Sequence, residues 1–365
     1  MSQLERGSSW TGEPASGALA SWTVPPDATV REALTALARH GHTAAVVTSD
    51  DGSLLGTFSD GDARLAVMRG SGLETAVSAV MNKTPVVAPT GASEDDVLAL
   101  MRRHRVRSVP LVDGGRPVEM RSLSGFPDPE AEPVAVIMAG GRGQRLRPFT
   151  DKVPKPLLRI GATSIVERII NALSAAGVRQ FFLAVNYKAE AFEQRLGTGE
   201  AMGVELRYLR EEQAMGTAGA LSLLPPDVRG PIVVMNGDIV TTVDFEKLFD
   251  FHWHGGAAAT VAGVEHLSPI PYGVLQTADH HLLSIEEKPE RRDFCSAGIC
   301  VLDAEVLRYL TPGRPLDMPD LIAQIVADGQ PVQVFPILEK WFDIGGTAEF
   351  ERVLVQFAIG EEELV

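Results

Sequence analysis

Residues 134–150 read VAVIMAGGRGQRLRPFT, and the segment DKVPKP follows at 151–156. The first five residues are apolar, as in a buried strand, and the loop after them contains three glycines and three arginines. A glycine loop leaves backbone amides accessible at a strand end, and cations beside those amides suit the phosphates of a nucleotide. Arginine and lysine can also hold oxygens that gain charge when a phosphoanhydride breaks. The segment therefore predicts a site for nucleotidyl transfer.

Two other glycine loops do not fit this segment. A dinucleotide-binding loop requires Gly-x-Gly-x-x-Gly, but Leu146 stands where the third glycine should be. A P-loop ends in Gly-Lys-Ser or Gly-Lys-Thr, and this loop has no such ending. The pattern therefore argues against a dehydrogenase and against a P-loop nucleotidase.

The charge distribution points in the same direction. The 365-residue chain has a formal net charge of −15, which argues against a nucleic-acid or membrane partner. Against this background, residues 142–159 contain six basic residues and one acidic residue, Asp151. A local positive field of this kind indicates an anionic ligand. No signal peptide and no apolar run of spanning length is visible, so a cytoplasmic protein is expected.

The chain contains two cysteines, Cys295 and Cys300. Their number fits no disulfide framework, and their spacing of five fits no zinc site. Both lie in an apolar run, which predicts two small buried side chains.

Composition changes along the chain indicate four segments. Residues 1–21 are rich in Ser, Gly and Glu, which predicts a disordered tail. The Pro-rich acidic stretch 125–133 is typical of a linker. The linker separates a small α+β region at 22–124 from a larger α/β region at 134–365.

The small region contains an internal repeat with an offset of 64 residues. The first copy starts with the capping box Thr29-x-x-Glu32, and its helix to His40 is followed by a strand at 44–47. The second copy starts near Ser93, with a helix to His104 and a strand at 108–112. Because one such unit cannot bury its own apolar face, the two copies should pack together.

This repeat resembles a tandem CBS domain, and Ser59 and Asp62 resemble that family's nucleotide-binding turn. The resemblance implies that Ser59 reaches a phosphate and that the Asp62 carboxylate accepts ribose hydroxyls. The second copy has no carboxylate at the matching position, where Phe126 stands. The resemblance leaves two alternatives: a regulatory nucleotide at one site, or a purely structural or dimerising module. Because CBS pairs often associate in twos, a homodimer or higher homo-oligomer is expected.

The large region alternates strands and helices. Strands are predicted at 134–139, 180–185, 204–209 and 231–236, and the capping box Ser164-x-x-Glu167 predicts a helix that ends near Gly177. Alternation of this kind predicts a doubly wound, mostly parallel, Rossmann-like sheet with helices on both faces. Ligands of such sheets bind at the carboxyl ends of the strands. The glycine loop and Asp238 both follow predicted strands, so both should lie at that edge.

The glycine loop resembles the signature of sugar-1-phosphate nucleotidyltransferases, Gly-Gly-x-Gly-x-Arg-Leu-x-Pro-x-Thr followed by Pro-Lys-Pro. The resemblance covers residues 134–350 and is nearest to guanylyltransferases for mannose and heptose phosphates. It implies attack of a sugar-phosphate oxygen on the α-phosphorus of a nucleoside triphosphate, with pyrophosphate leaving and Mg²⁺ as cofactor.

The resemblance also implies four groups of site residues. They are the catalytic Arg145, Lys155 and Lys288; the nucleotide-binding Ala139, Gly140, Gly141, Gly143, Glu211, Gly216 and Thr217; the sugar-phosphate-binding Gly273, Glu287, Lys288 and Ser296; and the Mg²⁺ ligands Asp238 and Asp343.

Two positions bear on substrate choice. Glu211 stands where uridylyl and thymidylyl members commonly have Gln, and a carboxylate can accept two hydrogen bonds from the N1–H and amino group of guanine. This favours GTP, with UTP, dTTP and ATP as the alternatives. Ser296 stands where family members often have Asn, which leaves mannose, heptose, an amino sugar or a carbocyclic sugar analogue open.

A different class of function is a catalytically inactive nucleotide sensor or scaffold. A decayed enzyme should lose some of its charged catalytic residues. Five of these are present, namely Arg145, Lys155, Asp238, Lys288 and Asp343. The sequence therefore favours an active enzyme.

Overall fold

A computed structural model of the protein describes residues 22–40, 43–123 and 132–359. The predicted disordered tail, 1–21, and all but the last two residues of the predicted linker, 125–133, lie outside the described residues. Within the described ranges, no helix is long and apolar enough to cross a membrane.

The N-terminal region is built of short strands and helices in the order that the repeat predicts. Its strands are β1 (Thr23–Val24), β2 (Ala44–Thr48), β3 (Leu54–Ser59), β4 (Ala88–Pro89), β5 (Ser108–Asp113) and β6 (Arg116–Ser122). Its helices are α1 (Val30–His40), α2 (Asp60–Met68), α3 (Val77–Val80) and α4 (Glu94–His104).

Each copy of the repeat forms a three-stranded sheet, β1-β2-β3 in the first copy and β4-β5-β6 in the second. The predicted helix starts are confirmed. The Thr29 amide donates to the Glu32 carboxylate at 2.8 Å, and Ser93 accepts a hydrogen bond from the Asp96 amide at the start of α4. The two copies also touch, because the Leu54 amide donates to the Gly115 carbonyl at 3.0 Å.

The larger region contains the remaining elements. Its strands are β7 (Val134–Met138), β8 (Arg159–Ile160), β9 (Thr163–Ser164), β10 (Gln180–Val185), β11 (Glu205–Arg210), β12 (Ile232–Asn236), β13 (Ile239–Thr241), β14 (Ala259–Pro269), β15 (Val274–Ala278), β16 (His281–Glu286), β17 (Glu290–Leu302), β18 (Val332–Ile337) and β19 (Trp341–Asp343). Its helices are α5 (Ile165–Ala175), α6 (Ala189–Leu196), α7 (Gly216–Gly219), α8 (Phe245–Gly255), α9 (Met318–Ala327) and α10 (Thr347–Ile359).

A seven-stranded sheet, in the order β11-β10-β7-β12-β17-β14-β18, forms the centre of this region. Four of its six pairings are parallel, and β17 runs antiparallel to both of its neighbours. Alternate residues of β7 enter different cores. Ala135 and Ile137 pack with α5, α6 and α8, whereas Val134 and Val136 pack with α7 and α9. The predicted α/β fold with helices on both faces of the sheet is confirmed.

The order of the strands positions the site. Strands β10, β7 and β12 are adjacent and parallel, so their carboxyl ends meet at one edge. The glycine loop follows β7, and Gly237 and Asp238 follow β12. The two segments that the sequence singled out are therefore neighbours at this edge.

The prediction for the cysteines is half wrong. Cys300 is buried in β17, and burial raises the pKa of its thiol to about 12. Cys295 is exposed, because β17 continues beyond the core at its amino-terminal half, where it pairs only with the outer part of β14. The apolar run did not reveal where the strand leaves the protein interior.

Candidate active site

A hydrogen bond between Thr150, at the end of the glycine loop, and Gly143 shapes the loop. The Thr150 hydroxyl donates to the Gly143 carbonyl at 2.7 Å, and Thr150 itself is buried. Gly143 has φ of +59°, which L-residues with a side chain rarely adopt. A Cβ at this position would lie 3.0 Å from the Thr150 Cγ2 atom and 3.2 Å from the Lys155 Cβ atom. Gly143 therefore sets both the turn and the close approach of Lys155.

Lys155 and Asp238 form the floor of the site. The Lys155 side chain is buried in a short 3-10 turn, and its Nζ atom lies 2.5 Å from the Asp238 Oδ2 atom. Gly237 brings Asp238 close to β7, because its amide donates to the Met138 carbonyl at 2.9 Å. A Cβ at Gly237 would lie 2.8 Å from that carbonyl oxygen. The glycine before the aspartate is thus required by the packing.

Asp343 is brought to the same place by a short antiparallel pairing. Strand β19 pairs with β13 so that Asp343 lies opposite Ile239, and the Ile344 amide donates to the Asp238 carbonyl at 3.2 Å. Burial raises the pKa of the Asp343 carboxyl, and the Asp238 carboxylate raises it further, whereas Lys155 and Arg145 lower it. Two carboxylates and two cations therefore share one small volume.

Arg145 lies close to the same volume. It lies on the 3-10 turn Gln144–Leu146 and is exposed, and its Nη1 atom is 3.8 Å from where a Cβ at Gly345 would be. Its guanidinium therefore faces the loop that follows β19. An exposed arginine at this position is available to an anionic ligand.

The residues here fit a magnesium ion. In the part of the chain that the structure describes, no group of three or more His, Cys, Asp or Glu side chains is arranged to hold a metal. Mg²⁺ in phosphoryl-transfer sites instead takes one or two carboxylates and completes its shell with substrate oxygens and water. The two-aspartate set of Asp238 and Asp343 matches that donor chemistry.

The Glu211 side chain lies on the wall of the site beside the glycine loop. Its carboxylate is half-buried and accepts a hydrogen bond from the Met215 amide at 3.0 Å. A Cβ at Gly140 would lie 3.3 Å from the Glu211 Oε1 atom. Burial raises the pKa of the Glu211 carboxyl, which the Met215 hydrogen bond opposes. Glu211 can thus accept hydrogen bonds from a ligand in the site.

The turn at Gly216 and Thr217 is held by a distant segment. The Asp317 carboxylate accepts the Thr217 amide at 3.1 Å, and the Thr217 hydroxyl accepts the Met318 amide at 2.7 Å. A Cβ at Gly216 would lie 2.5 Å from the Leu316 carbonyl oxygen. This turn is therefore fixed against the start of α9.

These segments enclose an open cleft of about 600 Å³. Ten of the predicted site residues line it: Ala139, Gly140, Gly141, Gly143, Arg145, Lys155, Glu211, Gly216, Thr217 and Asp238. Asp343 is not among the lining residues, but Gly345, two positions later, is. The structure therefore brings the predicted nucleotide-binding and metal-binding residues together.

The predicted sugar-phosphate residues lie outside this cleft. A Cβ at Gly273 would lie 3.1 Å from the Glu287 Oε2 atom, so these two residues are neighbours beside the β15–β16 hairpin. Lys288 follows with φ of +46°, a backbone conformation uncommon for residues with a side chain. All three are exposed.

Ser296, in contrast, is close to the rim of the cleft. A Cβ at Gly298, two residues later, would lie 2.6 Å from the Nδ2 atom of Asn236, which lines the cleft. The Trp341 indole donates to the Ala297 carbonyl at 3.0 Å, which ties this part of β17 to β19. Ser296 is exposed beside these contacts.

The predicted CBS residues form a capping box at the start of α2. Both the Ser59 amide and its hydroxyl donate to Asp62 Oδ2, at 2.8 and 2.7 Å. Burial raises the pKa of Asp62, which the Ser59 hydrogen bonds and nearby His254 oppose. Helix α2 packs against α8 and β18, so these residues lie where the CBS region meets the larger region.

Sequence reasoning missed three residues that shape the site. Asn236 lines the cleft, Thr150 closes the glycine loop, and Asp317 holds the Thr217 turn. Thr150 ended the quoted glycine-loop segment and Asn236 ended a predicted strand, but neither received a role. The sequence Asp317-Met318-Pro319 is a helix-start signal, but it gives no indication that α9 begins against a turn 100 residues earlier.

Comparison with known proteins identifies the family. The sequence profile described as "Nucleotidyl transferase" matches residues 134–358, which is more than half of the chain. The chain belongs to the nucleotidyl transferase family. The CBS domain profile matches residues 21–69 and 77–120, in agreement with the tandem repeat.

Curated relatives match the same region. Mannose-1-phosphate guanylyltransferase of Mycobacterium tuberculosis is 30% identical over 225 residues, which are 60% of this chain and 62% of that protein. The catalytic subunit beta of mannose-1-phosphate guanylyltransferase from Drosophila pseudoobscura is 32% identical over 223 residues, 59% of this chain and 60% of that protein. The chain therefore spans about three fifths of the length of these relatives.

A solved structure shares the fold. It is a protein from Bacillus anthracis, described as a candidate glucose-1-phosphate thymidylyltransferase, in complex with sucrose. The TM-score is 0.50 at 23% identity, and the match covers 62% of this chain and 95% of that chain. This likeness supports the nucleotidyltransferase fold of the larger region.

The geometry of the glycine loop predicts that alanine substitutions at Gly143 and Gly141 differ in their effect on protein stability. Gly143→Ala should destabilise the protein by about 1–2 kcal/mol, because alanine resists the left-handed backbone and its Cβ meets Thr150. Gly141→Ala is the matched control, since a Cβ there has nothing within 4 Å. Urea unfolding of both variants measures the effect. Equal stability of the two variants would contradict this account of the loop.

Proposed function

We propose that this protein is a sugar-1-phosphate nucleotidyltransferase that uses GTP. The observation that carries the proposal is the contact of Lys155 with Asp238 on the floor of a cleft lined by the glycine loop, with Asp343 placed beside Asp238 by the pairing of β13 with β19. A structural scaffold has no need to hold two carboxylates together beside a buried lysine. Residues 134–365 are proposed as the catalytic domain, with residues 22–124 as a CBS pair.

In the proposed reaction, an oxygen of the sugar 1-phosphate attacks the α-phosphorus of GTP. The bond from the α-phosphorus to the bridging oxygen breaks, and pyrophosphate leaves with both electrons of that bond. The attacking phosphate is already an anion, so no side chain has to remove a proton. The protein must therefore accelerate the reaction by positioning its substrates and neutralising charge.

Each charged side chain is proposed to bind a different phosphate group or the metal ion. Arg145 is proposed to hold the departing pyrophosphate and Lys155 the α-phosphate, with Lys288 on the phosphate of the sugar. Asp238 and Asp343 would hold Mg²⁺, which would supply positive charge to offset the charge of the phosphate oxygens. The Lys155–Asp238 contact of 2.5 Å supports this assignment, since it keeps the ammonium group at the metal-binding carboxylates.

In this proposal, the glycine loop and the Glu211 side chain on the wall of the cleft bind the nucleotide. The amides of Gly140, Gly141 and Gly143 bind the triphosphate, and Gly216 and Thr217 lie beside the base. Ala139 lines the cleft next to them, but its own amide donates to the Ala184 carbonyl at 2.9 Å. The half-buried Glu211 carboxylate accepts guanine N1–H and the amino group. Relatives at 30% and 32% identity are mannose-1-phosphate guanylyltransferases, which supports guanine.

The sugar phosphate is bound by Gly273, Glu287, Lys288 and Ser296. Glu287 is proposed to accept a sugar hydroxyl, and Ser296 to face the ring. The curated relatives favour mannose 1-phosphate as the first substrate to test. Heptose, amino-sugar and carbocyclic phosphates belong in the same test because Ser296 replaces a longer side chain.

Arg145→Ala should lower turnover by about 100- to 1000-fold, because the departing pyrophosphate loses its guanidinium partner in the transition state. Arg147→Ala is the matched control, since Arg147 lies on the same loop but pairs with Asp151 at 3.4 Å. Pyrophosphate release measures turnover, and circular dichroism checks the fold. Near-normal turnover of a folded Arg145→Ala variant would refute the assigned role.

A matrix of four nucleoside triphosphates against several sugar 1-phosphates tests the substrate assignment. GTP should give the highest kcat/KM, and Glu211→Gln should lower kcat/KM for GTP by about tenfold while sparing UTP. Glu212→Gln serves as the control, because Glu212 is exposed and does not line the cleft. A wild-type preference for UTP or dTTP would overturn the guanine assignment, and no turnover with any pair would favour an inactive sensor.

The CBS pair is proposed to bind an adenine or guanine nucleotide at Ser59 and Asp62 that modulates activity. Both residues lie at the junction with the catalytic domain, beside α8, which supports a regulatory position. Asp62→Ala should weaken nucleotide binding by about tenfold, since the ribose loses its carboxylate partner. Calorimetry with the catalytic cleft saturated by the NDP-sugar product measures this site alone.

Asp96→Ala is the matched control for the loss of a helix cap. Asp96 caps α4 in the second copy by the same Ser–Asp pairing, with Ser93 Oγ donating at 2.6 Å. Unchanged nucleotide binding in Asp62→Ala, or equal losses in both variants, would count against a ligand at this turn.

A further inference from the structure

The Arg64 guanidinium is buried between the two regions of the protein. Arg64 lies on α2 of the CBS pair and is only 1% exposed. Its Nε atom is 2.5 Å from the Asp60 carboxylate, and its other nitrogens contact the Pro336 carbonyl at 2.5 Å and the Glu339 carboxylate at 2.6 Å. The guanidinium also lies over the Phe335 ring, 4.0 Å from its centroid. Every contact beyond Asp60 is therefore with the larger region.

Glu339 belongs to the three-residue connector 338–340 between β18 and β19. On its other side this connector is tied to β13 and the residue after it. The Lys340 carbonyl accepts the Thr242 amide at 3.0 Å and the Thr241 hydroxyl at 2.7 Å. Arg64 on one side and the β13 end on the other thus hold the connector in place.

The connector leads directly into the strand that carries Asp343, four residues after Glu339. That short strand, β19, is only three residues long, and β13 is its only partner among the described strands. A strand of this length has few contacts of its own, so its position depends on what fixes its ends. Arg64 fixes the end at which the chain enters it.

Stability alone is a poor explanation for such a group. A buried ion pair is often no more stabilising than apolar side chains of the same size, because both charges lose their water. The planar fork of arginine does, however, fix geometry by making several directed hydrogen bonds at once. A buried arginine that reaches across two regions is better explained by the geometry that it imposes.

We propose that Arg64 is a positioning residue of the catalytic site: from the CBS pair it fixes the 338–340 connector and thereby the Asp343 carboxylate. The inference rests on the proposed function, in which Asp343 is a metal ligand. It assigns a part of the active-site geometry to a residue outside the catalytic domain. It also places Asp62 two residues from an arginine that contacts the connector before β19.

A second interdomain ion pair provides the matched control. Arg107, the residue before β5, binds Asp250 on α8, and its side chain is also largely buried, at 13% exposure. Helix α8 meets neither β19 nor the connector through this pair. Arg107→Met should therefore loosen the junction between the two regions without moving Asp343.

The test uses the full-length protein and two readouts, one of which needs no turnover. Hydrogen–deuterium exchange of peptides spanning 338–345 reports the order of β19, and electron paramagnetic resonance with Mn²⁺ reports metal affinity. Arg64→Met removes the contact, Glu339→Gln weakens it from the other side by removing the carboxylate charge, and Arg64→Lys keeps the charge without the fork. Thermal unfolding of each variant shows that it is folded.

We expect Arg64→Met to speed exchange in 338–345 and to weaken Mn²⁺ binding by about tenfold, in the range seen when a supporting contact of a metal site is lost. Glu339→Gln should act in the same direction, and Arg64→Lys should fall between Arg64→Met and the wild type. Arg107→Met should leave both readouts within about twofold of the wild type.

Two results would overturn the inference. One is unchanged exchange and Mn²⁺ affinity in both Arg64→Met and Glu339→Gln, and the other is an equal change in Arg107→Met. If Arg64→Met does not fold, Glu339→Gln decides alone. Failure of the proposed function has a different signature, because a wild-type protein without turnover leaves the exchange comparison intact.

Discussion

The site depends on the short pairing of β13 with β19. This pairing joins segments more than 100 positions apart in the chain and sets Asp238 and Asp343 side by side. Partial burial raises the pKa of the Asp343 carboxyl, and repulsion from the neighbouring Asp238 carboxylate raises it further. Lys155 and Arg145 offset that repulsion. The glycine loop matters because its turn at Gly143 lets Lys155 approach, so the loop, the lysine and the two aspartates form one electrostatic unit.

The sequence predicted most of the elements that build this unit. Strands β7, β10, β11 and β12 lie within one residue of their predicted bounds, since apolar runs between turn signals report buried parallel strands well. The capping box at Ser164 opens α5, with the Glu167 carboxylate accepting the Ser164 amide at 2.7 Å. The ten predicted residues that line the cleft were found because they occur in local motifs. Interactions between residues close in sequence determine these strands, the helix cap and the motifs, so a single sequence is enough to predict them.

What the sequence could not predict depends on contacts between distant segments. The support of the Thr217 turn by Asp317 and the exposure of Cys295 follow from tertiary packing, which leaves no local signal. The turn at Ser59 and Asp62 was predicted as a nucleotide site from its pattern, but the pattern does not say that these two side chains bond to each other. A nucleotide at this turn would have to replace that bond. It must therefore supply hydrogen bonds at least as good as those between Ser59 and Asp62.

The junction between the two regions offers a route by which nucleotide binding at Ser59 and Asp62 could affect the cleft. Ser59 and Asp62 cap α2, and Arg64 on the same helix contacts the connector before β19. A helix transmits a shift of its first turn along its length because its backbone hydrogen bonds keep it rigid. An event at the cap would therefore reach Asp343, the proposed metal ligand, through one buried guanidinium. Because that guanidinium makes directed contacts on both sides, a small rotation of α2 would break some of them and so loosen the connector before β19.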